Sequence, residues 1–271
     1  MCSLEKRGTL FILTLTGTDG DDQHRLGPQV IASLLSTLSR IAAEAIPGSV
    51  LITTAHGRYY STGFDLIWAR KAESGAAAAN RLHSMVNSLK PVAAALMALP
   101  MPTIAALNGH AAAAGFLLAI CHDYVLMRSD VGVLYMPEVD LGLPLPDYFA
   151  AMFRSKIRSP TVMREVVMSG VKVKAAEGVK MGMVDSAHDS AESVVEASMR
   201  LAEKLSRRKW VGDVYADIRK SLYPDACAVL DLPLKPLLFD LNYYWFSFVD
   251  LQSCFGTDFV SDFSGEGHFG D

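Results

Sequence analysis

Hydrophobic and polar positions along the chain follow two alternating periods. Thr9–Thr16 (TLFILTLT) is a run of aliphatic and β-branched residues closed by Gly17 and an acidic loop, and it predicts a strand. From Pro28 to Ile46 the residues Val30, Ile31, Leu34, Leu35, Leu38 and Ile41 recur at helical spacing, and the pattern stops at Pro47-Gly48. Ser49–Thr54 (SVLITT) predicts a second strand, and Thr103–Leu107 (TIAAL) a third that ends at Asn108-Gly109. Tyr124–Met127 predicts a fourth. Helices are predicted between them, over Ala76–Leu99 with Pro91 as a break or a start, and over Ala111–His122. Short buried strands alternating with helices point to an α/β fold with a mostly parallel sheet. Beyond Pro160 the spacing turns helical, over Thr161–Ser169, Lys174–Met181, Ala191–Arg207 and Val211–Leu222.

Composition narrows the function classes. Apolar residues make up 51% of the 271, which suffices for a sizeable core. Lys and Arg number 25 against 29 Asp and Glu, so no basic field exists to hold nucleic acid. Cys2, Cys121, Cys227 and Cys254 are scattered without a paired spacing, which argues against a zinc knuckle or a disulfide framework. The most apolar stretch, 91–107, is broken by three prolines, and 111–121 is too short to span a bilayer. The segment 233–271 differs from the rest. It carries 10 of the 24 aromatic residues, with Lys235 alone against six acidic residues. The expected organisation is a core over 1–205, a C-terminal helical segment over 206–232, and an atypical aromatic, acidic tail over 233–271 that frays at its Gly-rich end.

Three segments are candidates for chemistry. In Ser61-Thr62-Gly63-Phe64-Asp65-Leu66 a predicted strand runs into a turn at Gly63, with Asp65 as a helix N-cap. Such a turn leaves backbone N–H groups free for an anionic oxygen, although alone it is usually just a turn. In Asn108–Leu117 (NGHAAAAGFL) another strand meets a turn and an apolar helix, and its small residues allow close approach to the backbone. His110 there reads as a packed or surface histidine. In Met136–Pro144 (MPEVDLGLP) Glu138 stands among apolar neighbours, where a carboxyl group has a raised pKa and can take and return protons. Asp140 and Asp147 read as solvated or capping acids. Two turns with free N–H groups and one Glu suit proton abstraction beside a carbonyl, with the enolate held in an oxyanion hole.

In that order and at that spacing the segments S-T-G-F-D-L, N-G-H-A-A-A-A-G-F and P-E-V-D-L-G resemble the enoyl-CoA hydratase/isomerase (crotonase) family, over roughly Thr9–Leu205. The likeness is greatest to its plant peroxisomal members. The resemblance implies a crotonase-type spiral of ββα units with a C-terminal helical region. It assigns the oxyanion N–H groups to Phe64 and Ala114, the latter where many members carry Gly. It assigns the acid/base to Glu138, and substrate contacts to Ser61, Thr62, Gly63, Asp65, Leu66, Gly115 and Leu117. Hydratases of the family carry a second Glu at the position of Leu117. A leucine there cannot hold a water, and the remaining carboxylate fits a Δ3,Δ2-enoyl-CoA isomerase of fatty acid β-oxidation. No metal or separate cofactor is implied, since coenzyme A is part of the substrate. Arg58, Arg70 and Lys71 are candidates to meet its phosphates.

The resemblance further implies a homo-trimer or a dimer of trimers acting on acyl-CoA in the peroxisome. The chain ends Phe269-Gly270-Asp271 and not on a Ser-Lys-Leu type tripeptide, so the cytosol stands as the alternative. Two other functions remain open at this stage: another acyl-CoA reaction such as hydration or thioester hydrolysis, and a non-catalytic acyl-CoA-binding subunit.

Overall fold

The computed structural model describes residues 1–18 and 20–234. The tail expected from Pro233 onward therefore lies, beyond Leu234, outside the described residues. The N-terminus forms a hairpin, β1 (Cys2–Arg7) with β2 (Leu10–Leu15), and then α1 (Pro28–Ala43). Three ββα units follow. They are β3 (Val50–Ala55) and β4 (Tyr59–Ser61) with α2 (Leu66–Arg70) and α3 (Gly75–Ala98); β5 (Thr103–Leu107) and β6 (His110–Ala112) with α4 (Ala114–Ile120); and β7 (Tyr124–Arg128) and β8 (Leu134–Tyr135) with α5 (Glu138–Leu141) and α6 (Asp147–Lys156). The chain closes with α7 (Pro160–Met163), a π-helical turn at Arg164–Met168, α8 (Ala175–Lys180), β9 (Ser186–His188), α9 (Ala191–Ser206), α10 (Gly212–Leu222) and α11 (Pro224–Val229).

Each unit places its first strand in one sheet and its second in another. The larger sheet has the order β1-β2-β3-β5-β7-β9, the smaller β4-β6-β8. All pairings are parallel except the β1–β2 hairpin. The inner strands β2, β3, β5 and β7 of the larger sheet are covered on both faces, which is why they read as largely apolar runs. Val50, Ile52, Ile104, Ala106 and Leu126 pack against Val194, Ala197, Ala202 and Leu205 of α9. Leu51, Ala105, Leu107 and Met127 face the main core with α1, α3 and α4. The corner from β5 to β6 is tight: a Cβ on Gly109 would stand 1.9 Å from the Arg58 carbonyl oxygen, so only glycine fits there.

Two expectations need correction. Pro91 neither breaks nor starts a helix but lies inside α3. Its ring costs the bond to the Asn87 carbonyl, and both residues are exposed, so water can serve that carbonyl. The helix expected from Ala111 begins only at Ala114, because 110–112 pairs as β6 between β4 and β8.

The C-terminal helices are packed onto this body. Arg219 of α10 is 3% exposed and pairs with Asp123 at 2.6 Å. It also donates to the carbonyls of Leu99 and Met101 just past the end of α3. No described helix is long and apolar enough to cross a membrane.

Candidate active site

The first candidate segment is stitched to the loop before α1. The Leu26 N–H donates to the Gly63 carbonyl, Thr62 N–H to the Gln23 carbonyl and Asp65 N–H to the Leu26 carbonyl. Ser61 is fully buried; its Oγ donates to the His24 carbonyl at 2.8 Å and accepts from the Gly63 N–H. The Thr62 hydroxyl meets Gln23, and Asp65 caps α2 by accepting from the Trp68 N–H at 2.9 Å. Leu66 N–H donates to the Phe64 carbonyl. The Phe64 N–H donates to none of the described residues.

The second segment behaves alike. Ala113 N–H donates to the Tyr135 carbonyl, and both Phe116 and Leu117 N–H donate back to the Ala113 carbonyl. The N–H of Ala114, a residue with no exposed surface, donates to no described residue. A buried amide without an acceptor is costly unless a ligand supplies one. The two segments touch through glycine. Gly63 has φ +90°, and a Cβ there would lie 3.0 Å from the Ala114 nitrogen. Gly115 presses on Ser61, where a Cβ would stand 2.3 Å from the carbonyl oxygen. Leu117 is 1% exposed and packs in the core.

Glu138 opens the short helix α5, which Gly142 closes in a left-handed conformation. It is 9% exposed, and its Oε2 has no hydrogen-bond partner among the described residues. Burial raises its pKa above the ordinary carboxylate value, opposed only by a bond from its own backbone N–H. Glu138 and Phe64 line one cavity of about 580 Å³. Leu82 and Val86 of α3, with Leu143, Leu145 and Phe149, form its apolar walls, and His83, Asn87 and Lys90 its polar edge. Phe149 stacks against Phe64 with ring centroids 6.2 Å apart. Tyr148, also in the wall, is tied to α3 by its hydroxyl bond to the Val86 carbonyl.

The structure thus brings Phe64 and Glu138 to one apolar cavity, with Ala114 directly behind the Gly63 turn. Ser61, Thr62, Gly63, Leu66, Ala114, Gly115 and Leu117 support this arrangement without lining the cavity. Asp65 lines a different, more polar cavity of about 550 Å³ together with Lys71 and Arg25. Its carboxylates are engaged, Asp21 by Arg25 and Asp65 by its cap. Arg70 is exposed, and Arg58 precedes β4 at the tight corner. Among the described residues no cluster of His, Cys, Asp and Glu is placed to hold a metal ion. The wall from α3 was not foreseen, although Leu82, Val86 and Lys90 recur there at helical spacing.

A sequence model described as enoyl-CoA hydratase/isomerase matches residues 21–224. The chain belongs to the enoyl-CoA hydratase/isomerase family. Among curated family members it is 60% identical over 236 residues to enoyl-CoA delta isomerase 2, peroxisomal, of Arabidopsis thaliana, covering 87% of this chain and 97% of that protein. It is 59% identical over 238 residues to enoyl-CoA delta isomerase 3 (88% and 98% covered) and 48% over 223 residues to enoyl-CoA delta isomerase 1, peroxisomal (82% and 89%), of the same plant. The fold matches the apo structure of a Mycobacterium tuberculosis enoyl-CoA isomerase with a TM-score of 0.73 at 19% identity, covering 85% of this chain and 94% of that one. The family fold is therefore the ββα spiral expected from the sequence.

Proposed function

We propose that this enoyl-CoA hydratase/isomerase family member is a Δ3,Δ2-enoyl-CoA isomerase that converts 3-enoyl-CoA to trans-2-enoyl-CoA in fatty acid β-oxidation. The observation that carries the reading is the buried carboxylate of Glu138; Asp147, the other acid in the cavity lining, is exposed and accepts from the Tyr148 N–H. Glu138 has an unpartnered oxygen and faces an apolar cavity shared with Phe64. The names of the Arabidopsis relatives support the same activity.

In this mechanism the thioester oxygen accepts hydrogen bonds from the Phe64 and Ala114 N–H groups. The Glu138 carboxylate takes a proton from C2, and the electron pair moves into the thioester carbonyl to give a dienolate. The same carboxyl group then protonates C4 as the double bond settles between C2 and C3. No water is consumed, and Leu117 stands where a hydratase holds its second carboxylate. Contact with the acyl-CoA is assigned to Phe64 and to the Ala114 N–H, which the rest of the 61–66 and 114–117 segments hold in place, with coenzyme A entering only as part of the substrate. A general acid/base of this kind contributes about 10²–10⁴-fold. Each oxyanion donor contributes roughly 10²–10³.

A peroxisomal place of action is supported by the names of two of the relatives. Self-association, in the homo-trimer or dimer of trimers that the family resemblance implies, would cover apolar side chains exposed on α10 such as Ile218 and Leu222.

The test is turnover of trans-3-hexenoyl-CoA by the wild type and by Glu138→Gln. The variant should lose isomerisation by at least about 10²-fold while still binding the ester. Unchanged turnover by the variant would sink the assignment. Formation of 3-hydroxyacyl-CoA or free CoA by the wild type would show a hydratase or a thioesterase instead.

A further inference from the structure

Ala113 holds a backbone conformation that an L-residue resists. Its φ is +51° and its ψ is −125°. That ψ lies far from the left-handed helical region, where a non-glycine residue at positive φ usually settles. The pair of angles is that of the first central position of a type II′ turn, which glycine dominates. Strain of this kind persists only where the surroundings enforce it, and it gathers at functional sites. Here the enforcement is visible on both sides. The Ala113 N–H is bound at 2.9 Å to the Tyr135 carbonyl, and its own carbonyl accepts from Phe116 and Leu117, each at 3.0 Å.

The methyl group has one notable neighbour. A Cβ built on Gly63 would stand 2.8 Å from the Ala113 Cβ. The methyl therefore abuts the open face of Gly63, where no side chain could fit. The peptide after Gly63 carries the Phe64 N–H, and the peptide after Ala113 carries the Ala114 N–H. The contact lies between the two peptides whose amides have no acceptor among the described residues.

We propose that Ala113 is a positioning residue for the oxyanion hole: its methyl is a wedge that sets the spacing of the Phe64 and Ala114 donor peptides. This rests on the isomerase reading given above. Glycine at 113 would adopt the same angles without strain, yet it would leave the Gly63 turn unbraced. The strain thus accompanies a contact that only a Cβ can make.

The experiment compares Ala113→Gly with Ala113→Ser, which keeps the Cβ, using trans-3-hexenoyl-CoA. A misplacement approaching 1 Å at a reacting centre costs about 10²-fold, so kcat of Ala113→Gly should fall by about 10- to 100-fold. KM should stay within about 2-fold, because the loss falls on the transition state and not on ground-state binding. Removing the strain should raise Tm by about 2–4 °C. Ala113→Ser should keep kcat within about 3-fold of the wild type, since the wedge remains. The enolate of 3-oxohexanoyl-CoA, followed by its near-ultraviolet absorbance, should bind less tightly to Ala113→Gly, while hexanoyl-CoA binds as before.

A wild-type kcat in Ala113→Gly overturns the proposal, and so does a loss that Ala113→Ser shares in full. A wild type without any turnover removes the isomerase reading and this proposal together. Turnover that survives Glu138→Gln removes the acid/base assignment alone, and the Ala113 pair still decides the wedge.

Discussion

At the scale of single residues the chemistry turns on what surrounds one carboxyl group. Glu138 has apolar neighbours, and burial favours its neutral form. That suits the role proposed for it, carrying a proton from C2 to C4 and holding it between the two steps. The first step needs the ionised form, whose fraction falls as pH drops through the raised pKa. The acid limb of kcat/KM is therefore expected above the ordinary glutamate value of about 4.3. A pH profile of kcat/KM on a non-sticky short-chain ester measures it, since that ratio reports the free enzyme. A limb at or below the ordinary value would mean that water reaches the carboxylate freely. Leu117 acts in the same direction. It is a buried apolar side chain of the core and adds no charge that would shift Glu138.

At the scale of elements, α3 links the site to the rest of the fold. It supplies one wall of the cavity, and the chain just past its end is held by Arg219 of α10. That guanidinium is buried against Asp123, and Tyr215 also donates to the same carboxylate. Arg219→Met would leave Asp123 charged and unpaired, together with carbonyls that lose their donor. Breaking one side of a buried pair costs about 3–5 kcal/mol, and urea unfolding of the variant should show a loss of that size. A loss below about 1 kcal/mol, as for a surface pair, would mean that α10 is not held in place by this contact. The elements also show what the sequence made legible. The strands β2, β3, β5 and β7 of the larger sheet, with α1 and α9, were plain because their apolar runs and periods are long enough to be seen. The Asp65 cap and the Gly63 turn were plain because their chemistry is local. The strands β4, β6 and β8 were hidden, since two or three residues carry no period. β1 was hidden as a charged edge strand. The run Ala111–Ala114 looked like helix, and nothing in four alanines reveals that one of them has a positive φ. The cavity wall on α3 was obscured because His83, Asn87 and Lys90 alternate with its apolar residues. The catalytic candidates were legible as types at a spacing, whereas their surroundings depend on residues distant in sequence.

At the scale of the whole molecule, the described residues leave apolar surface that they do not cover among themselves. Val211, Val214, Ile218 and Leu222 are 58%, 49%, 57% and 57% exposed. Val214, Ile218 and Leu222 follow one another at four-residue steps, which aligns them along one side of α10, with Val211 just before its first turn. The other side of the helix is already spent on the core through Ala216 and Arg219. Lone exposed apolar residues are ordinary, whereas an aligned stripe on a helix anchored by a buried ion pair is a candidate contact surface. Association through that stripe would bury it without disturbing Glu138, because the stripe contributes nothing to the lining of the cavity that Glu138 shares with Phe64. The expected outcome is that Ile218→Asp combined with Leu222→Lys lowers the oligomeric state in sedimentation velocity. Ellipticity should stay native, because both side chains already face solvent in the single subunit. If the doubly substituted protein sediments like the wild type, the subunits meet elsewhere. If it dissociates and keeps its kcat, each subunit carries a complete site. A fall in kcat on dissociation would instead show that assembly holds α3 and the cavity wall in their working positions.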